Sequence, residues 1–330
     1  MGFSLDDIMK PQISKVARST DGLIIAIAGP NGSGKTVVAT QMEKPYYLAF
    51  GKSGLSGLNG VPFQSIKSWS EFTSFIKTFC DPKNFDVIHE QYRTLVLDEL
   101  EILWRYCETY ICGTNQVHKL REGQYGQLYK DLTEEWEDAM MKVIGSGFCI
   151  MFILHETYDE NGKAFPAGDK RMLPIIRNHS DIIGRVIPNG TDGDNKVILS
   201  SLGLADTDSY FARTRNPYFD TIIPTYTADN LIKAYYTALD RQEKAEGTKA
   251  VSKKERDSQY EKKKISFNEL MEQVGAAGEK ISEKFGSIDP VTEIVERILG
   301  KGALVSKCTS QQYEAVERIL QEFQAKLEEE

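Results

Sequence analysis

An apolar run that feeds directly into a glycine-rich octapeptide is the feature that most constrains this chain. Residues 23–28 read LIIAIA, and Gly29-Pro30-Asn31-Gly32-Ser33-Gly34-Lys35-Thr36 follows at once, with Val37 next. An unbroken apolar run without polar alternation predicts a strand buried on both faces, the habit of parallel sheets. Residues 35–42 are helix-forming, so the spacing predicts strand, loop and helix in immediate succession. The octapeptide satisfies G-x-x-x-x-G-K-[ST]. Glycines let such a backbone curl until successive N–H groups converge on phosphate oxygens. Lys35 is then expected on the β- and γ-phosphates as a point charge. The Thr36 hydroxyl is expected on Mg²⁺, and the helix start adds its dipole. The implied ligands are ATP and Mg²⁺.

A phosphate site of this kind needs a second carboxylate, delivered by the end of a neighbouring apolar strand. Residues 94–97 read TLVL and end in Asp98-Glu99. Asp98 is the candidate metal-organising residue, and Glu99 the candidate for polarising the attacking water. A helix N-terminal acid favoured by the dipole is the plain alternative for Glu99. The apolar residues 148–154 form another strand, ending in His155-Glu156. His155 is a candidate sensor of the γ-phosphate, and Glu156 rivals Glu99 as the base. Arg213 and Arg215, in FARTRNP, are candidates for a charge-stabilising finger reaching a neighbouring subunit's ATP.

Around these motifs the chain alternates between strand and helix signals. Residues 46–50 (YYLAF) read as a second strand, and Ser68 or Ser70 can cap an amphipathic helix bearing Trp69, Phe72, Phe75, Ile76 and Phe79. A helix is expected after Asp98-Glu99 through about Tyr110, a polar loop over 113–126, and a helix over Gln127–Ile144. Later signals are for turns: Asn161-Gly162 suggests one hairpin, and residues 181–187 and 196–202 flank a second. Residues 209–213 suggest one more strand, and residues 228–239 a helix started by Asp229 or Asn230. Alternation followed by hairpins predicts a mostly parallel α/β sheet with helices on both faces and an antiparallel extension. The expected division is a leader over 1–20, a core over 21–240, a charged linker over 241–264 and a small acidic helical module over 265–330. The linker carries nine basic residues against five acids. In the module, residues 291–299 and 312–327 read as two helices.

Composition removes several classes. A net charge of -8 over 330 residues leaves no global positive field, so nucleic acid could be met only by local basic loops. The five cysteines, Cys80, Cys107, Cys112, Cys149 and Cys308, form no C-x-x-C pair and are expected as reduced thiols. Cys107 and Cys112 could pair across a helical turn. The four histidines are scattered and suggest no zinc site. No signal-peptide pattern opens the chain, and no apolar run approaches the roughly 20 residues of a membrane span. The expected location is cytoplasmic, with no membrane contact.

The order of the phosphate motif (Walker A), a Pro-bounded second strand, TLVLDEL, YGQLYKDLTEEWEDAMMKVIGSGFCIMFILHET and FARTRNP resembles the phage-encoded AAA/RecA-like P-loop proteins over about residues 21–240. Some of these are recombination ATPases that work with single-strand annealing and single-strand-binding proteins. The resemblance implies a RecA-like P-loop NTPase core with residues 29–36 as the ATP cradle, Asp98 on Mg²⁺ and His155 as a sensor-like position. One departure stands out. The family's second strand usually ends in a catalytic glutamate, whereas Phe50-Gly51-Lys52 offers no acid, so Glu99 must take that role or turnover is slow. The resemblance also puts DNA contacts on the loops after the Asp98 and His155 strands. Here these are residues 113–126, with His118, Lys119, Arg121 and Tyr125, and residues 157–171, with Lys163, Phe165, Lys170 and Arg171. Cations neutralise phosphates and aromatics stack on bases at about 1–3 kcal/mol each, although solvated loops have the same composition.

The leading expectation is therefore an oligomeric ATPase, ring or filament, stimulated by single-stranded DNA in phage recombination or replication. The alternative is an AAA-type loader or remodeller that docks a protein partner on its acidic helical module. A small-molecule kinase would need an arginine-rich lid that the chain does not display.

Overall fold

The computed structural model describes residues 8–11, 13–51, 54–259 and 265–329. It divides into two compact units, Val16–Lys253 and a second made of Met1–Lys15 with Lys254–Glu330. Lys52, Tyr260, Glu261 and the linker lysines Lys262, Lys263 and Lys264 lie outside the described residues, as do the first seven residues of the expected leader.

In the larger unit the strands are β1 (Ile24–Ala28), β2 (Pro45–Phe50), β3 (Phe63–Ile66), β4 (Thr94–Asp98), β5 (Cys149–Leu154), β6 (Glu156–Tyr158), β7 (Ala164–Pro166), β8 (Ile182–Ile187), β9 (Ser201–Gly203), β10 (Arg213–Thr214) and β11 (Ile222–Ile223). Nine of them form one sheet in the order β11-β9-β8-β1-β5-β4-β2-β3, with β10 also on β8, while β6 and β7 make a separate hairpin. The run from β8 to β3 is parallel, and β9, β10 and β11 extend it antiparallel. The second expected hairpin exists, but its return strand is only Ser201–Gly203, because residues 196–200 leave the ladder.

Burial on both faces explains the unbroken apolar strands. Ile24, Ala26 and Ala28 of β1 enter one core, and Ile25 and Ile27 enter the other. The first core is closed by α2 (Trp69–Phe79), α4 (Leu100–Thr114), α5 (Gln127–Ile144) and α6 (Leu173–His179), and the second by α1 (Lys35–Thr40) and α7 (Ala228–Glu246). A further helix, α3 (Phe85–Gln91), leads into β4. The first core contains all three tryptophans of the chain: Trp136 stacks on Trp69 at 5.8 Å and meets Trp104 edge-on at 5.2 Å. Each buried aromatic of this kind stabilises by roughly 1.5–3 kcal/mol.

Caps refine the expected boundaries. Ser68 caps α2 by accepting the Glu71 N–H at 3.2 Å, so Ser70 is inside the helix. Thr227, not Asp229 or Asn230, caps α7. That helix runs to Glu246 and the unit to Lys253, so the first part of the expected linker belongs to the core. A short helix, α8 (Lys253–Ser258), follows.

The second unit is helical. Its core helices are α9 (Phe267–Phe285), α10 (Asp289–Leu299) and α11 (Tyr313–Glu328), three where two were expected. Ser266 and Glu269 form a reciprocal capping box that opens α9. Leu270, Val274 and Ile281 pack with Ile294, Val316, Ile319 and Phe323.

All five cysteines are free thiols, so Cys107 and Cys112 stay unpaired along α4. Among the described residues no helix is long and apolar enough to cross a membrane.

Candidate active site

Strand register assembles the site. Asp98 of β4 lies beside Ile153 of β5, and Leu154 lies beside Ala28 of β1. The loops after β1, β5 and β4 therefore leave one edge of the sheet, the carboxyl edge where open α/β sheets bind ligands. Val96 points into the core that holds α1, so Asp98, two residues on, points to the same side.

There the Thr36 hydroxyl donates to Asp98 Oδ2 at 2.9 Å. Asp98 is buried, and the Tyr47 hydroxyl of β2 donates to the same oxygen. Burial and the adjacent Asp98 charge both hold the Tyr47 phenol protonated, far above its ordinary range. Asp98 is thus fixed by two hydroxyls from two elements.

The glycine-rich loop curls as its composition requires. Gly34, the residue before α1, has φ +92°, a left-handed conformation that a side chain would strain. Gly29 packs so closely on β8 that an added Cβ would lie 3.0 Å from Val186 Cβ. Buried Lys35 donates to the carbonyls of Gly29 at 2.7 Å and Pro30 at 2.8 Å. Burial lowers its pKa, and the charges of Asp98, Glu101, Glu156 and Glu99 pull it back upward. Helix α1 is only six residues long, so the cradle rests on amides and on Lys35 more than on a helix dipole.

These residues fit a magnesium nucleotide. Ser33 Oγ is buried without a hydrogen-bond partner among the described residues, and buried hydroxyls are almost always satisfied. A phosphate oxygen would complete it. The Thr36 hydroxyl and the Asp98 carboxylate are the all-oxygen donors that Mg²⁺ prefers.

The other carboxylates are held differently. Glu99 is partly buried, and no hydrogen bond engages its side chain among the described residues. Desolvation raises its pKa, partly offset by His155 and reinforced by Asp98 and Glu101. Glu156 is engaged: Arg185 Nε donates to it at 2.9 Å, and the Tyr158 hydroxyl donates as well. Burial pushes the Glu156 carboxyl up, but these bonds and the Arg185 charge outweigh it and hold it below the ordinary value. His155 is clasped by Glu101 of α4, which accepts the His155 N–H at 2.7 Å and lies 3.5 Å from the ring Nδ1.

Tyr47, Glu101 and Arg185 were not apparent as site residues in the sequence. The available signal was a polar group inside an apolar strand, as in YYLAF and IIGRVI, since such groups persist only with a partner. Arg213 donates to the carbonyls of Arg177 and Ser180. Arg215 donates to the Asn178 carbonyl and lies 3.5 Å from Asp181. Asp181 in turn accepts the N–H of Ile24 at the start of β1, so Arg215 is at the sheet end opposite the phosphate loop. Within one chain neither arginine approaches Lys35.

The two basic loops meet in part. Lys119, Arg121, Lys170 and Arg171 line one cavity of about 530 Å³, together with the acids Glu108 and Asp169. The Arg171 guanidinium lies 4.4 Å from the Tyr129 ring centre. Lys163 is elsewhere, 3.0 Å from Asp206 and over the Phe165 ring. Tyr125 projects fully into solvent at φ +51°.

A parallel sheet whose first strand ends in a glycine-lined cradle, with a carboxylate from a neighbouring strand on the cradle's threonine, defines a P-loop nucleotide-binding ATPase domain. Residues 21–216 match the AAA domain family, and the chain belongs to that family. It is also 41% identical over 319 residues to the SPbeta prophage-derived uncharacterized protein YorG of Bacillus subtilis (strain 168), covering 96% of this chain and 97% of that protein. Proteins of the AAA family generally use ATP with Mg²⁺.

Proposed function

We propose that this chain is a phage-encoded motor or switch that hydrolyses ATP on single-stranded DNA during recombination or replication. The observation that carries the ATPase reading is the Thr36–Asp98 contact beside Lys35 and the Ser33 hydroxyl, buried without a partner among the described residues. Residues 29–36 would hold the phosphates, and Thr36 and Asp98 the metal. Bound Mg²⁺ would neutralise charge that develops across the transferring phosphoryl group. Glu99, with no side-chain hydrogen bond among the described residues and a raised pKa, is suited to orient and polarise a water. His155, clasped by Glu101, is suited to relay occupancy to the loop that follows it.

The DNA part of the reading is supported by the four cations that converge on one cavity from the two loops following β4 and β5. Homo-oligomers, ring or filament, would bring Arg213 or Arg215 to a neighbouring site, and a single-strand-binding or annealing protein is the expected partner. An ATPase assay with and without single-stranded DNA, using Lys35→Ala as the blank, tests the proposal. Turnover indifferent to DNA, with no binding at low salt, rejects the DNA-dependent part.

One observation favours the remodeller reading instead. The helical unit carries an apolar groove of about 580 Å³ between α9 and α10, edged by Glu279 and Glu283. If a protein partner docks there, turnover responds to that partner and not to DNA.

A further inference from the structure

The loop between β8 and β9 exposes three consecutive apolar residues: Val197 is 82% accessible, Ile198 42% and Leu199 58%. Their backbone is well held. Ile198 N–H donates to the Gly190 carbonyl at 2.9 Å, and Asn189 Nδ2 donates to the Leu199 carbonyl at 2.7 Å. The run therefore presents its side chains from a fixed backbone. It is also tied to the phosphate cradle, because the next residue, Ser200, donates its hydroxyl to the Ser33 carbonyl at 2.9 Å. Val37, directly after Thr36 of the cradle, is exposed as well. An ordered apolar surface beside a phosphate site suits the flat apolar face of a base joined to those phosphates.

Resting on the nucleotide-site reading above, we infer that Val197, Ile198 and Leu199, with Val37, form the surface that receives the nucleobase. The run carries no hydrogen-bonding side chain, and the two polar side chains tied to its backbone and to the cradle, Asn189 and Ser200, are committed. Ser200 is engaged by Ser33, and Asn189 by Leu199 and Ser201. The surface therefore responds to ring area and does not read the base edge. ATP and GTP bind alike, pyrimidine triphosphates bind more weakly, and a bare polyphosphate binds most weakly.

Calorimetric titration of the full chain with magnesium ATP, GTP, CTP and inorganic tripolyphosphate tests this. ATP and GTP should agree within about threefold, and tripolyphosphate should be weaker by about tenfold or more. The double variant Val197→Ser, Leu199→Ser should lose about tenfold for ATP and GTP and keep the tripolyphosphate affinity, with an unchanged melting temperature. Preference for one purine above about thirtyfold overturns the inference, as does a variant with unaltered ATP affinity. Loss of self-association in sedimentation with nucleotide affinities intact assigns the surface to a second copy and also overturns it. If the unaltered protein binds neither ATP nor tripolyphosphate, the phosphate-cradle reading itself fails.

Discussion

Thr36 and Asp98 are 62 positions apart in the chain, yet the threonine hydroxyl rests 2.9 Å from the aspartate. The contact depends on the crossing of β5 between β1 and β4, which aligns three strand ends at one edge. Asp98→Asn should keep the fold and lower turnover by about 10²–10³, the usual cost of removing one preorganised charge-stabilising group. Steady-state kinetics across a magnesium titration checks this, and the loss should not be recovered at high Mg²⁺.

Tyr47→Phe removes one hydroxyl from Asp98 and leaves the ring packed. The expected stability change is about 1 kcal/mol, the net worth of one such hydrogen bond. A turnover loss well beyond that found for a surface variant would show that Asp98 needs both hydroxyls. Unaltered kinetics would reduce Tyr47 to a packing residue.

Glu99 and Glu156 are separated by pH. Desolvation raises the Glu99 pKa, so Glu99 becomes a base only above the ordinary carboxylate range, and turnover should fall as pH drops through that raised value. In stability the sign is reversed: the unfolded chain ionises Glu99 more readily, so its ionisation costs stability as pH rises from the unfolded to the folded pKa. Glu99→Gln should therefore abolish turnover and raise the melting temperature at neutral pH. Glu156→Gln with retained turnover would complete the assignment.

The Glu156–Arg185 pair makes the opposite prediction. The Glu156 pKa is held low, so its stabilisation is full above the unfolded value and is lost as pH falls through the folded one. Arg185→Ala removes the cation from a partly buried carboxylate that the Tyr158 hydroxyl still engages, and should cost about 1.5–3 kcal/mol at neutral pH, the worth of a hydrogen bond to a charged group. Denaturant unfolding at neutral and acidic pH should show that cost shrinking as Glu156 is protonated.

Replacing Lys119, Arg121, Lys170 and Arg171 by Ala should weaken single-stranded DNA binding and flatten its salt dependence by about 0.7 for each phosphate no longer neutralised. Basal turnover without DNA should remain. Equal weakening from Lys163→Ala, whose ammonium faces Asp206, would argue for diffuse attraction over a defined cavity.

Much of this was legible in the sequence. β1, β4 and β5 are continuous apolar runs buried on both faces, a pattern with few alternatives, and each ends in the residues that build the site. β3 was not legible: FQSI is an edge strand, largely exposed, and lacks an apolar period. Helix α9 was hidden by Gly275 and Gly278, which weaken helix propensity although Gly278 packs against Phe323. Its capping residues, Ser266 and Glu269, were the signal that could have revealed it. The clasp of His155 by Glu101 and the placement of Arg185 on Glu156 depend on tertiary contacts that no local spacing encodes.

Because Trp69, Trp104 and Trp136 all lie in the core of the nucleotide-binding unit, emission excited selectively from tryptophan, beyond the tyrosine absorption band, has its fluorophores in that unit alone. Far-ultraviolet ellipticity, by contrast, registers α9, α10 and α11 along with every other helix. Two optical curves from a single denaturation would therefore coincide if both units melt as one and part if they melt in turn, giving each its own free energy without any truncation.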